Sequence, residues 1–324
     1  MFMKSFLLLL LSCSFINILR AETKSVSGTL AGVFPPEIKC VAVLTPASCP
    51  DKNRTLRAVS MLEEAGLKVK LMPYCFEKNG SGKYAGPSLE HRLEAWNKAV
   101  NDPEVDMIIP SRGGSGAQDL IEHIDWQKFR ERKLILMGFS NITYITSAMD
   151  YHKAGHPIAG PNVNSFCNVT KKSLIHLKAV LAKKAVPAIK LVPLKKGDAS
   201  GRVYAGHMIF LDRINSGKWK VDTSGRVLFI ECVGRDTEAY KKSFDNMLKN
   251  GFFDKAAAVV FSHFTRVKDA ENIDATFELW ASKLKCPVYK GYPYGHANDN
   301  RALDFRSTAV IKDDVLSFRQ DSSL

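Results

Sequence analysis

The sequence predicts an α/β fold in two parts, and three observations carry that expectation. Short apolar runs alternate with segments whose apolar residues recur at helical spacing, the pattern of repeated βα units. Two of those runs, ending at Pro110 and Met137, pass directly into glycine-bearing turns that open the next helix. Finally, Ala185-Val-Pro-Ala-Ile-Lys-Leu-Val-Pro-Leu-Lys-Lys-Gly-Asp198 carries prolines and no helical period, which suits an interdomain crossing. The expected division is an N-terminal domain over 38–185, a linker over 186–200 and a C-terminal domain over 201–324. A chain of 324 residues, 45% hydrophobic and 24% charged, is ample for two cores.

A polar lead-in over 22–37 ends at Pro35-Pro36, and the first strand, Cys40-Val-Ala-Val-Leu-Thr45, breaks at Pro46. Leu56, Val59 and Leu62 then give a helix running toward Gly66, and Val69, Leu71 and Met72 a second strand. Phe76 to Pro87 is a glycine-rich loop able to overhang a site, and Ser88 can cap a helix whose apolar face uses Leu93, Trp96 and Val100. The third strand, Val105-Asp-Met-Ile-Ile-Pro110, runs into Ser111-Arg-Gly-Gly-Ser-Gly116 and a helix with Leu120 and Ile121. The fourth, Lys133-Leu-Ile-Leu-Met137, leads to Gly138-Phe-Ser-Asn-Ile142 and a helix with Tyr144, Ile145 and Met149; a longer helix covers Lys172 to Lys184.

The second part is smaller and mixed. Arg202 to Ala205 and Met208 to Leu211 read as short strands around Gly206, and Arg226 to Glu231 as a strand entered from Ser224-Gly225. A helix with Tyr240, Phe244, Met247 and Leu248 inward closes at Gly251. Ala258 to Phe261 is a strand, Ala275 to Leu284 a helix, Pro287 to Tyr289 a strand leading to Gly291-Tyr-Pro-Tyr-Gly-His296, and Arg306 to Ile311 the last strand.

Composition narrows the partners. The formal charge of +13, from 46 Lys+Arg against 33 Asp+Glu, favours an anionic partner such as nucleic acid, anionic lipid or cell-wall polymer. Nucleic acid is not expected, because zinc-finger spacing, an RNA-binding aromatic motif and a compact basic block are all lacking. Met1-Phe-Met-Lys4 followed by the apolar run from Phe6 to Leu11 has the form of an export signal over residues 1–21, cleaved after Ala21. The protein is therefore expected in the periplasm or cell envelope. A lipid anchor at Cys13 is an alternative, weakened by Leu11 in an imperfect lipobox, and an uncleaved N-terminal anchor is another. The cysteines beyond the signal show no disulfide framework, and no Cys-x-x-Cys or His-Glu-x-x-His occurs, so no metal site is expected.

Glycine-rich Ser111 to Gly116 lets backbone amides approach an anion, yet neither a phosphate-loop lysine nor a dinucleotide fingerprint follows. The alternative is a tight turn without a ligand. Ser140 sits at a strand's carboxyl end, where ligands and nucleophiles collect; its competing role is to cap the helix that begins near Asn141. The lipase-type Gly-x-Ser-x-Gly elbow is absent, since Ile142 takes the last position. A serine nucleophile needs a base, an orienting group and oxyanion donors. Of eight histidines, His296 stands out in a glycine- and asparagine-rich loop after a strand, with His207 and His263 as rivals at other strand ends. Glu231, ending an apolar run, is the carboxylate most in need of a partner, unless it faces water at a sheet edge.

Pro110-Ser-Arg-Gly-Gly-Ser-Gly116, Gly138-Phe-Ser-Asn-Ile-Thr143, Gly225-Arg-Val-Leu-Phe-Ile-Glu-Cys-Val-Gly234 and Gly291-Tyr-Pro-Tyr-Gly-His296, in that order, resemble the L,D-carboxypeptidase family of serine peptidases. That family also contains the microcin C self-immunity hydrolases. The resemblance runs from about Lys39 to the C-terminus. It implies a doubly wound N-terminal domain with a mostly parallel sheet, a small α/β C-terminal domain and an active site in the groove between them. By position it implies Ser140 as nucleophile, Glu231 as orienting group and His296 as general base, with the backbone amides of Asn141 and of Gly113 or Gly114 as oxyanion hole. Arg112 is a candidate for the substrate carboxylate, since guanidinium and carboxylate pair in a bidentate fork. No metal or organic cofactor is implied. The expected reaction removes the terminal D-alanine from murein tetrapeptides, peptides derived from peptidoglycan, and a homodimer is the expected assembly. Alternatives are hydrolysis of peptidyl-adenylate antibiotics and a catalytically inactive murein-peptide binding protein. The sequence departs from the common pattern at Ser115, where tyrosine is usual, at Asn141 and Cys232, where aspartate is usual, and at Ala205-Gly-His-Met208, where Gly-Gly-Asn-Leu is usual.

Overall fold

The computed structural model describes residues 30–320. The segment read as an export signal or lipid anchor, Cys13 included, lies outside the described residues. The first sheet has six strands in the order β12-β5-β4-β3-β1-β2. Five are β1 (Cys40–Leu44), β2 (Lys68–Leu71), β3 (Met107–Pro110), β4 (Ile135–Gly138) and β5 (His156–Ala159), and their pairings with one another are parallel. The sixth, β12 (Leu303–Asp304), comes from near the end of the chain and pairs antiparallel with β5.

Alternation along β1 shows why this sheet is covered on both faces. Cys40, Ala42 and Leu44 enter one core with α2 (Leu89–Asn101) and α4 (Thr143–Tyr151), through Trp96, Ala99, Ile145 and Met149. Val41 and Val43 enter another with α1 (Lys52–Glu64) and α5 (Lys171–Leu181), through Ala58, Leu62, Leu174 and Leu177. A strand buried on both sides reads as a continuous apolar run, as this one does. Between α2 and α4 lies α3 (Trp126–Arg132). The sheet is thus doubly wound, and its order reverses between β1 and β3, the switch point where ligands of such folds bind beyond the carboxyl ends of the strands.

The second sheet has eight strands, ordered β6-β14-β13-β8-β9-β10-β11-β7. Its parallel centre is β8 (Ala199–His207), β9 (Arg226–Val233), β10 (Ala258–Thr265) and β11 (Val288–Lys290). Antiparallel strands flank it: β6 (Ile189–Lys190), β7 (Val192–Lys195), β13 (Ser307–Lys312) and β14 (Val315–Gln320). The helices are α6 (Met208–Asn215), α7 (Thr237–Lys249) and α8 (Ile273–Lys283).

Several expectations are corrected. Met208 to Leu211 is not a strand but the start of α6, because Met208, Leu211 and Ile214 recur at helical spacing and all are buried. The stretch around 186–200 supplies β6 and β7 to the second sheet, with Pro193 on an outermost strand, where sheets tolerate proline. Leu56 faces solvent, and Thr55, Ala58 and Met61 join Val59 and Leu62 on the inward side of α1. Leu120 and Ile121 lie in a 3-10 segment, Ala117–His123, rather than an α-helix.

Candidate active site

Ser140 is reached through a sharp turn. After β4, Phe139 is extended, and Ser140 adopts the left-handed region at φ 64°, unusual for a residue with a side chain. This aims its hydroxyl away from the helix that follows: Phe139 is the cap of the 3-10 turn Ser140–Ile142 and no side chain bonds there, so the capping role is not realised. The bend needs glycine at two neighbours. A Cβ on Gly113 would sit 2.8 Å from the Cβ and 2.9 Å from the Oγ of Ser140; one on Gly138 would sit 2.8 Å from Ile142. The geometry is that of a strained strand-to-helix elbow, with Gly138 before the serine and none after it.

His296 arrives from the other sheet. The loop after β11 is held by Asn300, whose side-chain oxygen accepts from the Gly295 amide at 3.0 Å, while the Asn300 amide donates to Ser173 Oγ at 2.9 Å. Asp299 accepts from Ser173 at 2.9 Å and from Arg301 at 3.1 Å. The loop is therefore stapled to the start of α5 in the first layer. Its ring nitrogens meet both expected partners: Nε2 lies 3.1 Å from Ser140 Oγ, and Nδ1 lies 2.7 Å from Glu231 Oε2. With Nδ1–H donating to the carboxylate, Nε2 is left to accept the serine proton.

Glu231 sits within β9 and is fully buried, not at a water-facing edge. Burial pushes its carboxyl up, but attraction to the His296 imidazole and the hydrogen bond outweigh it, and the net shift is downward. An ionised carboxylate in that position favours the imidazolium that forms when His296 takes a proton. The rival histidines have other surroundings. His263 bonds the Asp299 carbonyl at 2.9 Å and so braces the same loop. His207 is buried beside Glu231, its ring 5.7 Å from that of His296, and burial pushes it down to about 4, leaving it neutral at pH 7. Its Nε2 faces Cys232 Sγ at 3.6 Å, and burial drives that thiol far above its ordinary range.

Ser140 and His296 open on a cleft of about 350 Å³, also lined by Gly113, Gly114, Arg112, Asp51, Arg54, Asn162 and Asn164. It lies at the carboxyl ends of β1, β3, β4 and β5, the switch-point position. Gly113 and Gly114 make no backbone hydrogen bond among the described residues, so their amides are available to an oxyanion. Asn141 is buried, and its side-chain oxygen accepts from the Ala117 amide at 2.9 Å, tying the serine turn to the glycine turn. Arg112 reaches the Cys49 carbonyl at 3.4 Å and forms no ion pair among the described residues. Arg54 and Asn162 were not anticipated. Arg54 is an exposed helical residue without a motif, and Asn162, which bonds both the amide and the carbonyl of Phe139 at 3.3 and 3.4 Å, follows the unanticipated β5.

Comparisons with known proteins agree with this architecture. A "Probable murein peptide carboxypeptidase" of Bacillus subtilis is 25% identical over 286 residues, covering 84% of this chain and 88% of that one. The crystal structure of muramoyltetrapeptide carboxypeptidase from Oxalobacter formigenes shares the fold, with TM-score 0.76 and 22% identity over 86% of this chain and 98% of that one. The microcin C7 self-immunity protein MccF of Escherichia coli is 22% identical over 298 residues, covering 78% of this chain and 83% of that one. Its wild-type apo structure superposes with TM-score 0.80 at 18% identity, over 90% of this chain and 98% of that one. The family model for the LD-carboxypeptidase N-terminal domain matches residues 41–158, and that for the C-terminal domain matches residues 200–311. With both halves matched in order, the chain belongs to the LD-carboxypeptidase family of peptidases.

Proposed function

We propose that the protein is a serine-type L,D-carboxypeptidase that removes the terminal D-alanine from murein tetrapeptides through an acyl-enzyme. The observation that carries this reading is the unbroken chain from Ser140 Oγ to His296 Nε2 at 3.1 Å and from His296 Nδ1 to the buried Glu231 at 2.7 Å. In this account Ser140 attacks the scissile carbonyl as His296 takes its proton. The oxyanion meets the amide of Asn141 and that of Gly113 or Gly114, and the protonated His296 then gives its proton to the leaving amine. Water deacylates the serine by the same route in reverse. Arg112, in the same cleft, pairs with the carboxylate of the departing residue. The names of the Bacillus and Oxalobacter relatives support the substrate class. The excess positive charge and the expected export both suit work in an anionic envelope.

The likeness to MccF supports a second reading, a hydrolase of peptidyl-adenylate antibiotics that uses the same three side chains. Offering both substrates to the purified chain, with mass spectrometry for loss of one D-alanine or of the nucleotide, separates the two. Release of D-alanine is the expected result. Cleavage of the nucleotide conjugate alone selects the second reading, and tight binding without cleavage of either selects the inactive binding protein. Replacing Arg112 with Ala is expected to raise KM for a free-carboxylate peptide by roughly 10- to 100-fold. The KM for the corresponding amide should change little, and equal effects on both would remove Arg112 from this role.

A further inference from the structure

Beside the proposed triad stands a second imidazole that the reaction does not use. Parallel pairing of β8 with β9 sets His207 directly across from Glu231, so the two side chains rise from the same face of the sheet. His207 is 5% exposed and Glu231 0%, yet each keeps a polar atom without a partner among the described residues: Nδ1 of His207 and Oε1 of Glu231. Buried polar atoms in a folded protein ordinarily find partners, so each of these atoms calls for something polar. The other ring nitrogen of His207 faces Cys232, which leaves Nδ1 as the atom free to engage it.

We propose that His207, Glu231 and His296 form an inhibitory site for a zinc ion. One ligating atom from each lies within 4.8 Å of the others, and two imidazoles with a carboxylate are a known zinc donor set. Bond lengths of about 2.0–2.2 Å in a tetrahedron call for ligand atoms ~3.3 Å apart, so the wider separations in the cluster close by up to roughly 1.5 Å while His296 Nδ1 and Glu231 Oε2, now 2.7 Å apart, part slightly. His296 opens on the cleft and gives the ion a way in. Zinc takes Nδ1 of the neutral His296 imidazole, whose proton moves by way of solvent to Nε2, and the Glu231 carboxylate turns from accepting that proton to holding the metal. The base is thereby withdrawn from Ser140. Arg213 and Arg235, whose charges reach His207, work against a second cation and hold the affinity down. The inhibition rests on the serine-peptidase reading; the binding does not.

Equilibrium dialysis of the full chain carrying Ser140→Ala, against zinc chloride with magnesium chloride as control, measures the site without any turnover. One zinc per chain and no magnesium is expected, with affinity lowered roughly tenfold or more when His207→Gln or His207→Asn is added. Loss of binding in both amide variants, whose near-ultraviolet circular dichroism matches the parent, ties the ion to this cluster. In the active chain, zinc should slow D-alanine release and a chelator restore it, each variant being compared with its own metal-free rate. No stoichiometric zinc, or equal affinity with and without His207, overturns the site. Stoichiometric zinc in a chain that releases no D-alanine from any murein peptide overturns the proposed function and leaves the site standing.

Discussion

At the scale of single residues, the site depends on how closely three backbone segments approach one another. Gly113 shows this most clearly: a methyl group there would press on both the Cβ and the Oγ of Ser140. Gly113→Ala is therefore expected to lower kcat at least ~10-fold by displacing the hydroxyl and a proposed oxyanion donor together, with KM changed less. Steady-state kinetics on the tetrapeptide checks it, and an unaltered kcat would place the nucleophile elsewhere. Gly295 has a parallel role, since at its φ of 119° an added Cβ would lie 2.7 Å from the Glu231 side chain. Glu231→Gln keeps the shape but loses the charge that stabilises an imidazolium, and a fall in kcat of about 10³- to 10⁴-fold is expected. A loss of less than about tenfold would mean that His296 does not become charged in the reaction.

Among secondary-structure elements, the loop after β11 is the decisive one, because it carries His296 across from the second sheet to Ser140 on the first. Asn300, 1% exposed, holds it through the Gly295 amide and Ser173. Asn300→Ala is expected to cost about 1–3 kcal/mol in urea unfolding and to lower kcat as His296 drifts from Ser140. Unchanged stability together with full activity would show that Asp299 and His263 suffice to hold the loop. This is also the scale at which the sequence was least legible. Strands flanked by glycine turns and long amphipathic helices announced themselves through period and punctuation. Short β5 and β12 did not: His156 to Ala159 has no alternation, being buried on both faces, and Leu303-Asp304 pairs only through a partner far away in sequence. The start of α6 resembles a strand over Met208 to Leu211 alone, and only Ile214 completes the helical period. Ser140, Glu231 and His296 were legible only as an ordered set of motifs. His207 was visible at a strand end, but its place beside Glu231 depends on the register between β8 and β9.

Across the whole molecule, the two sheets are locked by buried polar contacts that respond to pH. His176 on α5 bonds the carbonyl of Ala302 at 3.0 Å and Tyr292 at 3.1 Å, joining the first layer to the last part of the chain. Burial pushes its imidazole down to about 4, whereas in the unfolded chain it titrates near about 6.5. Between those values the unfolded chain binds more protons than the folded one, so stability is full above about pH 6.5 and declines as pH falls toward about 4. The expected loss is on the order of 3 kcal/mol by the time His176 is protonated in the fold. Urea unfolding between neutral and acid pH measures it, and His176→Gln should flatten the slope; a wild-type slope in that variant would assign the acid sensitivity to other groups.

D-alanine release from a murein tetrapeptide, compared between the wild-type chain and Ser140→Ala, measures whether Ser140 is the nucleophile. Turnover is expected to fall at least ~10³-fold in the variant while its fold and peptide binding persist. Release of D-alanine at a comparable rate by Ser140→Ala would contradict it.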